Sequence, residues 1–395
     1  MSFMIKNRYL SKAIKEDALK KNKIAFLSGP RQVGKSTISK LMLEDKNNYF
    51  LYDDVEFKKI WAKNPKTIIE NRGKGIISLD EIHKDRKWKS KLKGLYDLYS
   101  NECKFLVTGS ARLDFYRKGE DSLLGRYIPY KLHPFSVAED ENPITPNEIL
   151  NYEKVNIPFN DIYSLGAFPE PLFNYNKNEA IRWSNLRLKR LVFEDSRDFL
   201  NISDYQAFRN LIDFIPEKIG SLLSINSLSI DVGKSYATIK TWIEVLNNLY
   251  FTFLIKPYSQ KLSRTLKAEP KIYLYDILRL KDENMGAKLE NLTALALLKC
   301  TDYWTELAFG EYELRFIRDR EKREVDFVVL ENEAPLMLVE CKSSDKEPHK
   351  NLIYYTQKLK PKYAFQLVNI KDYDRYYANY NIRVINYEKF LSGLI

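Results

Sequence analysis

Eight residues near the start of the chain, Gly29-Pro30-Arg31-Gln32-Val33-Gly34-Lys35-Ser36, have the types and spacing to hold a polyphosphate. Glycines at both ends let the loop turn its amide N–H groups toward phosphate oxygens. Lys35 adds an ammonium for the outer phosphates, Ser36 offers a hydroxyl to Mg²⁺, and Thr37 is the next polar side chain of the set. Two acids, Asp80 and Glu81, close the apolar run Gly75-Ile76-Ile77-Ser78-Leu79. Carboxylates at the end of a parallel strand face the crevice where ligands bind, so Asp80 is expected in the Mg²⁺ shell and Glu81 as the group that orients or deprotonates water. A third run, Lys104-Phe105-Leu106-Val107-Thr108, ends in polar residues, and Thr108 and Ser110 are candidates for contact with a terminal phosphate or its attacking water.

A second constellation lies near the C-terminus. Glu340 and Lys342 stand two apart in Leu338-Val339-Glu340-Cys341-Lys342, so on a strand they share one face. Asp326, in Glu324-Val325-Asp326-Phe327, is placed to join them from the neighbouring strand. Two carboxylates suit Mg²⁺ or Mn²⁺, which would polarise a phosphodiester, with Lys342 positioning water or stabilising developing charge. The competing readings are a strand that ends in a solvated ion pair, and a fold that binds DNA without cutting it.

These side chains need particular elements. Ile24-Ala25-Phe26-Leu27 reads as a buried strand, and the run from Ser36 to Met42 leaves the glycine-rich turn as a helix. Proline-rich stretches at 141–146 and 168–171 then punctuate the chain. Phe208, Leu211, Ile212 and Ile215 recur at helical spacing, and a short helix is expected from Ile225 to Val232, stopped by Gly233. Ser235 opens a longer helix, burying Ile239, Trp242, Ile243, Leu246 and Leu249 while Tyr236, Thr238, Lys240 and Thr241 face outward. Two strand-like runs, 250–255 and 271–275, flank a basic loop with Lys256, Lys261, Arg264 and Lys267. Three helices and a hairpin are the order of a winged helix-turn-helix, which either meets DNA or packs on neighbouring domains. A helix from Gly286, strands at 313–318, 324–330 and 336–342, a helix at 351–359 and a strand at 363–368 make an αβββαβ core.

A chain of 395 residues with 44% hydrophobic and 13% aromatic content supplies more than one core. The net charge of +11 and pI near 9.1 admit a polyanionic partner, nucleic acid before membrane, and equally a lysine-rich solvated surface. Three cysteines without a CxxC pair argue against a disulfide framework or zinc knuckle. No apolar run reaches membrane-span length, and lysines and arginines interrupt the N-terminus, so a cytoplasmic protein with no membrane partner is expected.

Taken together, GPRQVGKS, ISLDEIHK, FLVTGSARL and LLGRYIPYKLHPFS resemble a prokaryotic AAA+-type ATPase family that carries a C-terminal domain of unknown function. That resemblance implies an ASCE sheet, with the strand ending at Thr108 lying between the phosphate-loop strand and the Asp-Glu strand. It also implies that Arg126, in Leu124-Gly125-Arg126, is a transition-state arginine acting in cis or in trans; pairing with a structural carboxylate is the alternative. His83 reads as structural. The Asp326, Glu340 and Lys342 pattern resembles the PD-(D/E)XK nuclease superfamily, and Glu290 then matches a helix glutamate that assists metal binding, giving Glu290, Asp326 and Glu340 as metal ligands.

The expected fold is therefore α/β in three parts: an AAA+-type P-loop domain with a helical extension over 1–200, a winged helix-turn-helix over 201–280 and a restriction-endonuclease-like domain over 281–395. The expected function is ATP binding and hydrolysis with Mg²⁺, DNA engagement, and nucleotide control of a Mg²⁺- or Mn²⁺-dependent nuclease, in a chain that can form homo-oligomers. The alternatives are a regulatory ATPase switch whose nuclease-like domain only binds DNA or protein, and an ATPase with no DNA role.

Overall fold

The structure, a computed structural model, describes residues 7–70, 75–109, 123–150, 154–194, 196, 204–259 and 269–395. Ser110, Lys261, Arg264 and Lys267 lie outside the described residues. By their contacts the residues form two compact units, Met1–Pro134 with Asp140–Asn142, and Phe135–Glu139 with Pro143–Ile395.

The first unit is built on five parallel strands: β1 (Ile24–Ser28), β2 (Tyr49–Leu51), β3 (Gly75–Asp80), β4 (Cys103–Thr108) and β5 (Tyr127–Lys131), in the order β2-β3-β4-β1-β5. β4 stands between β1 and β3, as the resemblance implied. All five residues of β1 are buried, which is why its run is apolar without alternation. Helix Val55–Lys63 starts where the Asp54 side chain accepts the Phe57 amide, and helix Trp88–Tyr99 turns Trp88, Leu92 and Leu95 inward. Their apolar faces meet Phe26, Ile77, Leu79, Phe105 and Val107 in one core. Register does the positioning: Asp80 lies opposite Thr108, and Thr108 opposite Leu27. The polar strand ends therefore sit level at the C-terminal edge of the sheet.

The second unit begins with helices. Lys177–Phe193 opens on a capping box between Asn176 and Glu179; Tyr205–Phe214, Ile225–Val232 and Tyr236–Asn248 follow. The last two have the expected limits, with Gly233 left-handed at φ +70° and the Ser235 hydroxyl accepting the Thr238 amide. The chain continues through β6 (Thr252–Pro257), β7 (Lys271–Leu274), the helix Met285–Glu306, β8 (Tyr312–Arg318), β9 (Glu324–Glu331), β10 (Ala334–Cys341), the helix Lys350–Leu359, β11 (Tyr363–Val368), β12 (Asp374–Tyr377) and β13 (Ile382–Asn386). The helix, three-strand meander, helix and strand from 285 to 368 follow the expected αβββαβ order, with β10 and β11 parallel.

One feature departs from the three-part organisation. The β6–β7 hairpin, expected as a wing, is hydrogen-bonded to β8 through Lys256–Arg315 and Pro257–Phe316 and extends a single sheet ordered β12-β13-β11-β10-β9-β8-β6-β7. Every residue of β7 and three of the four residues 252–255 are buried, as strands covered on both faces are. Helices and strands from Pro143 onward accordingly belong to one unit.

That unit also carries a buried ion pair. Lys299, on the long helix, lies 2.5 Å from Glu139 and 2.7 Å from the Ser136 hydroxyl, with both charged side chains almost fully buried. Removing one partner of such a pair leaves a desolvated charge. Lys299→Ala is expected to destabilise the protein by about 3–5 kcal/mol in denaturant unfolding, and Glu139→Gln with Lys299→Met is expected to recover most of that loss.

Candidate active site

The phosphate loop joins β1 to the helix Lys35–Met42, whose N-cap Gly34 has φ +104°. Gly29 has φ +143°, and a Cβ there would overlap the Leu132 carbonyl oxygen, so the loop closes against that strand extension only because residue 29 has no side chain. Gln32, inside the loop, is left-handed as well at φ +63°. From the other side the buried Arg8 guanidinium donates to the Val33 carbonyl at 2.9 Å and to the His133 carbonyl at 2.6 Å. The Lys35 ammonium is buried and donates to the Gly29 and Pro30 carbonyls at 2.9 and 2.7 Å. Pro30 and Val33 are buried, Arg31 is half-buried, and Gln32 and Thr37 are exposed.

Asp80 is the hub of this edge. The Ser36 hydroxyl donates to its Oδ2 at 2.7 Å and the Thr108 hydroxyl to its Oδ1 at 2.5 Å. The Tyr49 hydroxyl also donates to Oδ2. Tyr49 was absent from the sequence expectation; its only signal was a tyrosine at the start of a short strand beside β3. Burial, then the hydrogen bond to Asp80, raises the phenol far above its usual value, which keeps it a donor. Glu81 follows in the left-handed region at φ +60°, with its amide on the Thr108 carbonyl at 2.9 Å. Its carboxyl is raised above the ordinary 4.5 by burial and, less, by Asp80, against the lowering influence of Lys35 and Lys84. His83 Nε2 lies 3.5 Å from Glu81 Oε2.

The residues fit a nucleotide with its magnesium. A hydroxyl and a carboxylate in contact, from loop and strand, are the oxygen donors that ion takes. The loop amides and Lys35 supply positive charge beside them. Arg126 is elsewhere. It immediately precedes Tyr127, which pairs with Ile24 at the start of β1, so the length of that strand, about 16 Å, separates it from the phosphate loop. It pairs with Asp97 at 2.9 Å. A cis role at the phosphates does not follow from that position, because β5 runs parallel to β1 and places Arg126 at the opposite edge.

The second constellation is also drawn together. Asp326 on β9 and Glu340 on β10 face one another, with the Asp326 amide donating to Glu340 Oε2 at 3.3 Å and the Cys341 amide to Asp326 Oδ2 at 2.9 Å. Lys342 Nζ is 2.7 Å from Glu340 Oε1, and His349 Nδ1 is 3.5 Å from the same oxygen. Glu290 accepts the Tyr273 hydroxyl at 2.7 Å. Between these groups stands Lys271, the first residue of β7, with Nζ 2.6 Å from Glu324, 3.2 Å from Asp326 and 3.4 Å from Glu290. Burial alone would favour its neutral amine, but Asp326, Glu290 and Glu324 outweigh burial and hold it firmly protonated. Burial and then Asp326 raise both Glu290 and Glu340.

Lys271, Tyr273 and Glu324 were not anticipated. Lys271 and Tyr273 share a strand face by their spacing, but nothing local says that this face meets residues 17 to 55 positions later. As folded, the cluster does not fit a divalent ion. Among the described residues, no group of three or more His, Cys, Asp or Glu is arranged to hold one, and an ammonium lies between Glu290 and Asp326.

Three family models match the chain. Residues 21–140 match the AAA domain family; residues 158–277 and 285–390 match two domains of unknown function (DUF8612 and DUF4143). An uncharacterized protein of Mycobacterium tuberculosis is 21% identical over 316 residues, covering 75% of this chain and 68% of its own, and one of Mycobacterium bovis matches to the same extent. Among solved structures, the Thermotoga maritima RuvB Holliday junction branch migration motor is 17% identical over 66% of this chain and 93% of its own, at a TM-score of 0.31. The Aeropyrum pernix Orc1 protein in complex with DNA is 11% identical over 72% and 89%, at 0.30. AMPPCP-bound DnaA from Aquifex aeolicus is 12% identical over 61% and 86%, at 0.28. Likeness at that level carries no weight on function. The first unit is an AAA-type P-loop domain, by its family match and its own phosphate loop. No helix among the described residues is long and apolar enough to cross a membrane.

Gly29→Ala is expected to cost about 2 kcal/mol or more in chemical denaturation, because it combines a disfavoured φ with a backbone overlap.

Proposed function

We propose that the chain binds ATP with Mg²⁺ at the phosphate loop, hydrolyses it, and uses the second unit to engage DNA without cleaving it. The observation that carries the first part is the Ser36–Asp80 hydrogen bond, which sets the loop hydroxyl and the strand carboxylate side by side. Lys35 leaves the Gly29 and Pro30 carbonyls for the outer phosphates, since a hydrogen bond between two charged groups is stronger than one to a neutral carbonyl. Mg²⁺ held with Ser36 and Asp80 would neutralise charge on the transferred group. Glu81 accepts a proton from water as its oxygen attacks the γ-phosphorus. The bond from that phosphorus to the bridging oxygen breaks, releasing ADP and inorganic phosphate. Thr108, fixed by its hydroxyl bond to Asp80, completes the polar edge.

DNA engagement is supported by the +11 charge and by the helix Tyr236–Asn248, on which Tyr236, Lys240 and Thr241 are exposed while Ile239, Trp242, Ile243 and Leu246 are buried. No cleavage step is assigned to the second unit, because Lys271 stands among the carboxylates that a metal-dependent nuclease would use. An ATPase switch with a nuclease-like binding module is therefore the reading adopted.

Calorimetry is expected to show ATP affinity in the wild type and its loss in Lys35→Ala. Equal affinity in both would refute the assignment. Glu81→Gln is expected to keep ATP binding and lose roughly 100-fold or more in turnover. The acid limb of wild-type turnover follows from the raised Glu81 carboxyl. The group keeps its proton to higher pH than 4.5, so the proton-accepting form, and activity with it, should disappear at a higher pH than an unperturbed glutamate would give. For DNA, affinity is expected to fall linearly on a log–log plot against salt, and Lys240→Ala to reduce the slope by about 1. Salt-independent or undetectable affinity would leave an ATPase with no DNA role.

A further inference from the structure

Residues on five different elements of the second unit meet at the Lys271 ammonium and its neighbours: β7, β9, β10, the helix Met285–Glu306 and the turn at Gly220. Seven of the eight carboxylate oxygens of Glu290, Glu324, Asp326 and Glu340 hold a donor. Asp326 gives Oδ1 to Lys271 and Oδ2 to the Cys341 amide. Glu324 gives Oε1 to Lys271 and Oε2 to Arg318 at 2.6 Å. Glu340 gives Oε1 to Lys342 and Oε2 to the Asp326 amide. Glu290 gives Oε1 to Tyr273 and Lys271, while its Oε2 packs on Gly220 so closely that a Cβ there would lie 2.7 Å away.

We infer that the Lys271 ammonium is the resident cation of this cluster, standing where the nuclease resemblance puts a divalent metal ion, and that it closes the cluster to metal. The inference rests on the reading that the second unit does not cleave, and it supplies the reason. A divalent ion could reach Glu290 and Asp326 together only by displacing Lys271, and each carboxylate oxygen of Glu324, Asp326 and Glu340 already holds a donor. The Lys271 side chain is 1% exposed. It is also part of β7, which is paired along its length to β6, which in turn pairs with β8. The side chain therefore cannot diffuse away as a hydrated ion does; it leaves only if it swings out of a buried cage or if β7 separates from the sheet. Phe316, on β8, covers the ammonium from one side at 5.6 Å. Lysine also lacks the Lewis acidity to activate water, so a cluster filled in this way is an electrostatic fastener of the hairpin onto the sheet.

The test counts Mn²⁺ bound by the full chain without nucleotide, by electron paramagnetic resonance, in the wild type, Asp326→Asn, Lys271→Ala and the double variant. Wild type and Asp326→Asn should bind the same number of ions. Lys271→Ala should gain one site that vanishes when Asp326→Asn is added. Mn²⁺ should raise the melting temperature of Lys271→Ala and leave that of the wild type unchanged. An Asp326-dependent ion in the wild type overturns the inference, as does a folded Lys271→Ala that gains none. If Lys271→Ala does not fold, the wild type against Asp326→Asn, repeated with Glu340→Gln, decides alone. Cleavage of duplex DNA by the wild type with Mn²⁺ would defeat the binding-module reading itself, whereas Asp326-dependent Mn²⁺ binding without cleavage would defeat only the lysine assignment.

Discussion

A carboxylate taken out of water has to collect hydrogen-bond donors or a cation, and both sites of this protein are answers to that requirement. In the first unit the carboxylate is Asp80, 3% exposed at the end of β3. Its donors are hydroxyls of Ser36, Tyr49 and Thr108, brought from the loop helix, β2 and β4. Because each donor comes from a different element, the carboxylate fixes the loop, the strand order and the register to one another. The Asp80–Thr108 and Leu27–Thr108 pairings are the backbone expression of the same arrangement.

In the second unit the same requirement is met by ammonium groups, Lys271 and Lys342, and the difference decides what each site can do. A hydroxyl turns about one bond, and a neutral hydrogen bond contributes about 1 kcal/mol net, so Asp80 can exchange a hydroxyl for an incoming ion at small cost. Separating Lys271 from its carboxylates strands desolvated charges, about 3–5 kcal/mol for a buried pair, and moves a strand residue as well. The first centre is built for ligand exchange and the second for permanence. Resemblance of the acidic residues to a nuclease pattern does not distinguish these cases; the identity of the neighbouring cation does.

Legibility in the sequence follows the range of the interactions. The phosphate loop is contiguous, and its glycines, lysine and serine act through local backbone geometry, so the sequence alone locates it. Asp80, Glu81 and Thr108 were found because apolar runs end at them and parallel strands present such ends to a common edge. The helix limits at Gly233 and Ser235 were equally local. Lys271 was missed because its partners Glu290, Glu324 and Asp326 lie 19, 53 and 55 residues onward, and only the pairing of β6 with β8 brings them to it. The hairpin read as a wing for the same reason: the order of three helices and two strand-like runs carries no information about a third strand. Arg126 was assigned by resemblance, without a register to show that its strand begins at the far edge of the sheet.

Arg8 adds a mechanical element to the first site. Its guanidinium bonds the carbonyl of Val33, inside the phosphate loop, and the carbonyl of His133, just past β5. A guanidinium is planar and rigid, so one group holds both carbonyls, and Gly29 approaches the neighbouring Leu132 carbonyl with no side chain between them. The phosphate loop is thus braced from two sides within the first unit, by one buried guanidinium and by one backbone approach that only glycine allows.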